Sequence, residues 1–155
     1  KVMKILMVCL GNICRSPLAE GILQSKLGND FVVDSAGTID MHQGKSPDSR
    51  SIKTGQHYDI DISQQKSRHF SADDFQEYNH IFVMDQNNLN DVLKLAKTEE
   101  ERQKVSLILD DNQEVPDPYW GEMKDFDDVF QLLNTACDRI AVDLKNQVIT
   151  NQKIN

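Results

Sequence analysis

Basic side chains are in short supply. Lys and Arg number 17 against 25 Asp and Glu, a formal net charge of -8. A nucleic-acid-binding surface needs a basic face to neutralise phosphates, so that class of partner is excluded. Docking on an anionic membrane is excluded with it. Taken at face value, the deficit also tells against a phosphate-bearing substrate. Cysteine is scarce too. Cys9, Cys14 and Cys137 cannot all pair with one another, and no second Cys/His pair stands at zinc-ligand spacing. A disulfide-stapled secreted scaffold does not fit this size and cysteine density. The longest apolar run, residues 5–10, is far below the roughly 20 residues of a membrane span. It leads directly into Gly11, Asn12 and Arg15 with no small-residue cleavage site, so it does not read as a signal peptide. These absences predict a reduced, cytoplasmic setting. No internal repeat or low-complexity segment is present.

What is there is an ordinary globular mix, with 39% hydrophobic and 27% charged residues over 155 positions. That is enough to bury one core, and residues 1–155 read as a single domain. Residues 4–9 form a short, nearly continuous apolar run, the pattern of a buried parallel strand. Ser16 as N-cap and Pro17 at the first helical position then open a helix striped with Leu18, Ile22, Leu23 and Leu27. Gly28 and Asn29 end it. Residues 31–36 are a second strand, 37–48 a loop, and 49–58 a weaker helix. Residues 71–75 form a helical turn, 80–85 a third strand and 89–96 a helix. Thr98 starts another short helix, and 105–109 are a fourth strand. Residues 116–121, with two prolines and a glycine, are a loop. Phe126, Val129, Phe130, Leu133, Ala136, Cys137, Ile140 and Leu144 recur at helical spacing and close the domain. The polar residues 146–155 read as a frayed tail. Strands alternating with helices predict an α/β fold: a three-layer domain with a four-stranded parallel sheet, helices on both faces, and a phosphate-binding loop after the first strand. Ligands bind such sheets at the carboxyl ends of the strands.

The chemistry is concentrated between Val8 and Pro17. A cysteine ends a strand, an arginine and a hydroxyl follow after a short loop, and a helix begins. Backbone N–H groups of such a loop, together with the helix N-terminus, make a nest for a tetrahedral anion. Arg15 adds a planar fork that holds two phosphate oxygens. The same positive surroundings favour a thiolate at Cys9, a nucleophile aimed at phosphorus. Ser16 can hydrogen-bond that sulfur. A cysteine in a strand is more often simply buried, but the Arg15-Ser16-Pro17 spacing reverses that preference. The glycine spacings of nucleotide and dinucleotide loops are lacking. A phenolic leaving group, of pKa near 10, departs well only when protonated. Asp117, between two prolines in the loop after the fourth strand, is placed to supply that proton and later to take one from water. Tyr119 and Trp120 beside it can form walls for an aromatic ring. Asp117 fits a turn residue equally well and the aromatics fit a core, so the residues alone leave both readings open.

The whole chain resembles the low-molecular-weight protein tyrosine phosphatases. The resemblance rests on residues 9–17, on Asp34-Ser35-Ala36-Gly37-Thr38, on Met84-Asp85, and on Asp117-Pro118-Tyr119. It implies Cys9 as nucleophile, Arg15 as phosphate clamp and Asp117 as general acid and base. The loop residues Leu10, Gly11, Asn12, Ile13, Cys14 and Ser16 would bind the phosphate, with no metal and no organic cofactor. It also implies a left-handed Asn12 held by side chains including Ser16 and Ser35. Family members commonly carry a histidine in that support, where Gln65 stands here. The pocket-wall position that is often Trp or Tyr is Met41 here, softer and without a ring face. Cys14 is implied to trap an oxidised Cys9 as a disulfide. Cys137 reads as core, and His42, His57, His69 and His80 as surface or loop.

The implied reaction is hydrolysis of phosphotyrosine, and of small aryl phosphates, through a cysteinyl-phosphate. The substrate would be a phosphotyrosine-bearing protein or peptide and the product phosphate, handled by a monomer or weak homodimer. Two other readings stand beside it: arsenate reduction on the same fold, which needs a further relay cysteine, and a non-catalytic phosphate or phosphopeptide module. The charge of -8 no longer opposes a phosphate ester, because residues 9–16 hold one Arg and no acid. The acidic excess lies elsewhere and disfavours strongly acidic phosphopeptides at low salt.

Overall fold

A computed structural model describes residues 2–154. Strand β1 (Met3–Cys9) leads into helix α1 (Arg15–Lys26) and strand β2 (Phe31–Gly37), followed by α2 (Ser49–His57) and α3 (Asp74–Glu77). Then come β3 (His80–Val83), α4 (Gln86–Leu93), α5 (Glu99–Gln103), β4 (Val105–Leu107) and α6 (Met123–Ile154). The sheet order is β2-β1-β3-β4, and every pairing is parallel.

The side-chain alternation of β1 shows why the sheet is covered twice. Ile5, Met7 and Cys9 join the core shared with α1 and α6, while Leu6 and Val8 join the opposite core with Phe70, Phe75 and Val92. A strand buried on both faces must be apolar at every position, as β1 nearly is. Leu18, Ile22 and Leu23 of α1 are fully buried. Each contributes roughly 1.5–3 kcal/mol of apolar transfer. The expected three-layer α/β domain is therefore present. Chain order also fixes the site. From β1 the chain goes first to β2 on one side and later to β3 on the other, so the strand order reverses at the carboxyl end of β1, where Cys9 lies.

Several boundaries differ from the sequence reading. Helix α1 starts at Arg15 with Cys14 as its N-cap, so Ser16 is inside the first turn and not the cap. Its hydroxyl is used by the site instead. Strand β3 stops at Val83, because the Asp85 carboxylate caps α4 by accepting from Asn88 N at 2.8 Å. The tail read as frayed is helical: α6 continues to Ile154. Val148 packs on the main core, and His80 Nε2 lies 3.0 Å from Gln147 Oε1, so the polar segment has tertiary support its composition does not reveal. Among the described residues no helix is long and apolar enough to cross a membrane.

Candidate active site

The loop from Cys9 to Arg15 is pinned by its carbonyls. Thr38 N donates to Cys9 O (2.9 Å), Ile39 N to Leu10 O (3.1 Å) and Asp48 N to Ile13 O (2.8 Å). Ser51 Oγ donates to Cys14 O at 3.3 Å. With the carbonyls turned outward, the amides are left free. Among the described residues, the N–H groups of Gly11, Asn12, Ile13 and Cys14 have no acceptor in the protein. The first turn of α1 carries no acidic side chain. Free amides, an unopposed helix N-terminus and Arg15 together suit a tetrahedral anion. The loop also needs room behind it. A Cβ on Gly37 would stand 2.8 Å from Leu10 O and 3.0 Å from Gly11 C, so only glycine lets β2 pass this close.

Asn12 has φ 57, left-handed backbone that costs a non-glycine residue roughly 1–2 kcal/mol. Its side chain repays the strain locally. Nδ2 donates to Ser16 Oγ (2.7 Å) and to Ser35 Oγ (2.9 Å), and Oδ1 accepts from Arg68 N (3.1 Å). Ser35 in turn donates to Glu20 Oε1 at 2.7 Å. Ser16 Oγ accepts from Asn12, and its own proton has two acceptors in reach, Cys9 Sγ at 3.0 Å and Ala36 O at a longer 3.5 Å. The burial of Glu20, opposed by the Ser35 bond and reinforced by Asp34, lifts its carboxyl to about 7.

Arg15 is buried, and its fork is fixed from behind. Nη1 donates to Asp85 Oδ2 (2.7 Å) and to Val115 O (2.9 Å). Nη2 lies 3.7 Å from Asp117 Oδ2. Burial weakens its hold on the proton, but Cys9, Asp85 and Asp117 outweigh that and raise its pKa. The Asp117 side chain is 40% exposed, and its Oδ1 accepts from Tyr119 N at 3.1 Å. Cys9, Arg15 and Asp117 share one cavity of about 330 Å³. Leu10, Gly11, Ile13 and Cys14 floor it, and Ile39, Met41, His42, Tyr119 and Trp120 wall it. Larger surface grooves, of about 660 Å³ at Arg139 and about 520 Å³ at Glu20 and Gln65, lack this combination of thiol, guanidinium and carboxyl, so chemistry and not volume selects the site.

A family model for low molecular weight phosphotyrosine protein phosphatases matches residues 4–150. The chain belongs to this family. It is 38% identical over 95% of its length to a putative low molecular weight protein-tyrosine-phosphatase of Synechocystis, 99% of which is covered. It is 33% identical to a low molecular weight phosphotyrosine protein phosphatase of Sus scrofa, over 86% of this chain and 90% of that one. A crystal structure of a protein tyrosine phosphatase from Entamoeba histolytica superposes with a TM-score of 0.87 at 36% identity, covering 94% of this chain and 98% of the other.

Within the phosphatase frame, Asn12 and Ser16 stand behind the loop, not in the cavity wall, as Asn12 is only 2% and Ser16 0% exposed. Trp120 is 91% and Met41 71% exposed, so both flank the rim and neither is core. Cys14 is a free thiol, and burial followed by the nearby Asp48 pushes it up to about 12, so it stays protonated. Gln65 departs from its expected place. Its Nε2 donates to Pro17 O at 3.1 Å, and its buried Oε1 has no partner among the described residues, so it braces the start of α1 and does not reach Asn12. The Arg68 amide supplies the contact to Asn12 instead. His42, read as surface or loop, lines the cavity beside Gly11. Asp85 stands in the sequence only as part of the Met84-Asp85 mark, with no role attached, and Glu20 is not marked at all. Asp85 had a usable signal, an acid directly ending a strand at the ligand edge. Glu20 had none, since its role depends on β2 lying beside α1.

Proposed function

We propose that this phosphatase hydrolyses phosphotyrosine in proteins or peptides, and small aryl phosphates, through a cysteinyl-phosphate. One observation carries the reading: Cys9, Arg15 and Asp117 open on a single cavity whose floor includes Gly11, Ile13 and Cys14, all with unused amides among the described residues. The Cys9 thiolate attacks phosphorus while the guanidinium of Arg15 and the loop amides hold the oxygens. The P–O bond to the ring breaks as Asp117 gives its proton to the leaving oxygen. Water then attacks the cysteinyl-phosphate, Asp117 takes its proton, and the P–S bond breaks to return the thiolate and release phosphate. The Ser16 hydroxyl stabilises the sulfur anion as it leaves. Leu10, Ile13, Met41, Tyr119 and Trp120 receive the aromatic ring.

Arsenate reduction gains nothing from the third cysteine. Cys137 is fully buried in α6, and its burial pushes the thiol up to about 12. The setting we propose is cytoplasmic, with the chain acting as a monomer or weak homodimer. Turnover of para-nitrophenyl phosphate in excess chelator tests the reading. Activity is expected in the intact protein, none in Cys9→Ser, and a fall of about 100-fold or more on phenyl phosphate in Asp117→Asn. Turnover that survives in Cys9→Ser, or that requires Mg²⁺, overturns it.

A further inference from the structure

The acid-bearing loop is poorly equipped to hold itself. Pro116 and Pro118 have no N–H to donate. The bonds inside residues 116–121 are local: Tyr119 N to Asp117 Oδ1, and Gly121 N to Pro118 O. Among the described residues, the hydrogen bonds that reach this loop from elsewhere in the fold come from Arg50 of α2. Its Nη2 donates to Tyr119 O (2.9 Å) and its Nη1 to Gly121 O (3.2 Å). The guanidinium lies 4.5 Å from the ring centre of Phe126 and 5.6 Å from that of Tyr119. Its other edge is clamped by Asp48, which accepts from Nε at 3.0 Å and from Nη2 at 2.9 Å. Asp48 N in turn donates to Ile13 O, in the phosphate loop itself, at 2.8 Å.

These contacts form one continuous strut. It runs from Ile13 through Asp48 and the planar fork of Arg50 to the carbonyls on either side of Trp120. We propose that Arg50 is a positioning residue for the general acid: it sets where Asp117 stands relative to Cys9 by tying the acid loop to the phosphate loop. The inference rests on the role of Asp117 given above. A planar fork fits this task and an ammonium does not, because four polar contacts and two ring faces must be met at once. Arg50 itself does not border the cavity, so it acts through the loop and does not touch substrate. Phosphate affinity, set by the loop amides and Arg15, is not expected to depend on it.

The test is the leaving-group dependence of kcat/KM, which reports the first phosphoryl transfer. Phenyl phosphate, whose phenol has a pKa near 10, needs the acid; para-nitrophenyl phosphate, a far better leaving group, needs it little. Arg50→Ala is expected to lose about tenfold or more on phenyl phosphate beyond any loss on para-nitrophenyl phosphate. Arg50→Lys, which keeps the charge, is expected to fall between Arg50→Ala and the parent, and it serves alone if Arg50→Ala does not fold. The inhibition constant for inorganic phosphate should stay within about threefold of the parent in both. Adding Arg50→Ala to Asp117→Asn should cost little more than Asp117→Asn does alone, because the two changes remove one function. Equal losses on the two esters, or losses that add fully to those of Asp117→Asn, overturn the proposal. If Asp117→Asn itself does not distinguish the esters, the acid assignment falls and the role of Arg50 falls with it. If Asp117→Asn distinguishes them and neither Arg50 variant does, the role of Arg50 alone is refuted.

Discussion

Glu20 offers a test of the buttress behind the phosphate loop. Its carboxyl accepts from Ser35 Oγ at 2.7 Å, and burial lifts it from an ordinary 4.5 to about 7. Asp34 pushes in the same direction, and Arg68 opposes. The folded state therefore holds this proton more tightly than the unfolded chain. Below about pH 4.5 both states are protonated and the stabilisation is fully present. As pH rises, the unfolded chain releases its proton first, and the stabilisation is lost by the time pH passes about 7. At about 1.4 kcal/mol for each pH unit between the two values, the whole swing is about 3 kcal/mol. Glu20→Gln keeps a carbonyl for Ser35 and carries no charge, so it escapes the penalty. The variant should exceed the parent by about 1 kcal/mol at pH 5 and about 3 kcal/mol at pH 8. In a domain of this size that is about 2–4 °C and then about 6–12 °C in Tm. Urea unfolding followed by circular dichroism at pH 5, 6, 7 and 8 measures it. A difference that stays flat with pH, or a variant that is weaker at pH 8, refutes the placement of an uncompensated carboxyl behind Asn12.

Two further perturbations probe the loop itself. Gly37→Ala puts a methyl 2.8 Å from Leu10 O, and the loop must move. The inhibition constant for phosphate should rise about tenfold and stability fall by about 1–3 kcal/mol, and an unchanged constant would show that the close approach does not shape the cradle. Asp85→Asn removes the nearer of the two carboxylates at Arg15, at 2.7 Å against 3.7 Å for Asp117, while asparagine still caps α4. Thermal denaturation should show a loss of about 2–4 kcal/mol with weaker phosphate binding, and stability equal to the parent would remove Asp85 from the support of Arg15.

The fold was largely legible because its signals are local. A continuous apolar run reads as a doubly buried strand, amphipathic spacing as α1 and α6, and the alternation of the two as a parallel sheet. The ends were less legible. Capping by Asp85 shortened β3, and tertiary contacts at Gln147 and Val148 kept α6 helical through a segment whose composition reads as tail. Within the site, Cys9 and Arg15 are joined by a short loop, so their chemistry shows in the spacing. The support of Asn12 does not. Gln65 occupies the expected stretch of sequence but points its amide at Pro17, because side-chain direction there is set by how the chain packs on α1.

By itself, the sequence determined what can be encoded within one strand–loop–helix unit: the Cys9 thiol, the Arg15 guanidinium, the run of loop amides and the absence of acid among residues 9–16, which outweighs a net charge of -8. Charge acts over a Debye length of about 10 Å, so nearby groups matter more than the total. Only the tertiary structure decided which of 25 acids meets which partner. Asp85 reaches Arg15 from 70 positions away, Glu20 reaches Ser35 across α1 and β2, and Arg50 reaches the acid loop from 69 positions away. Those contacts follow from the order of strands in the sheet, and no local spacing carries that order.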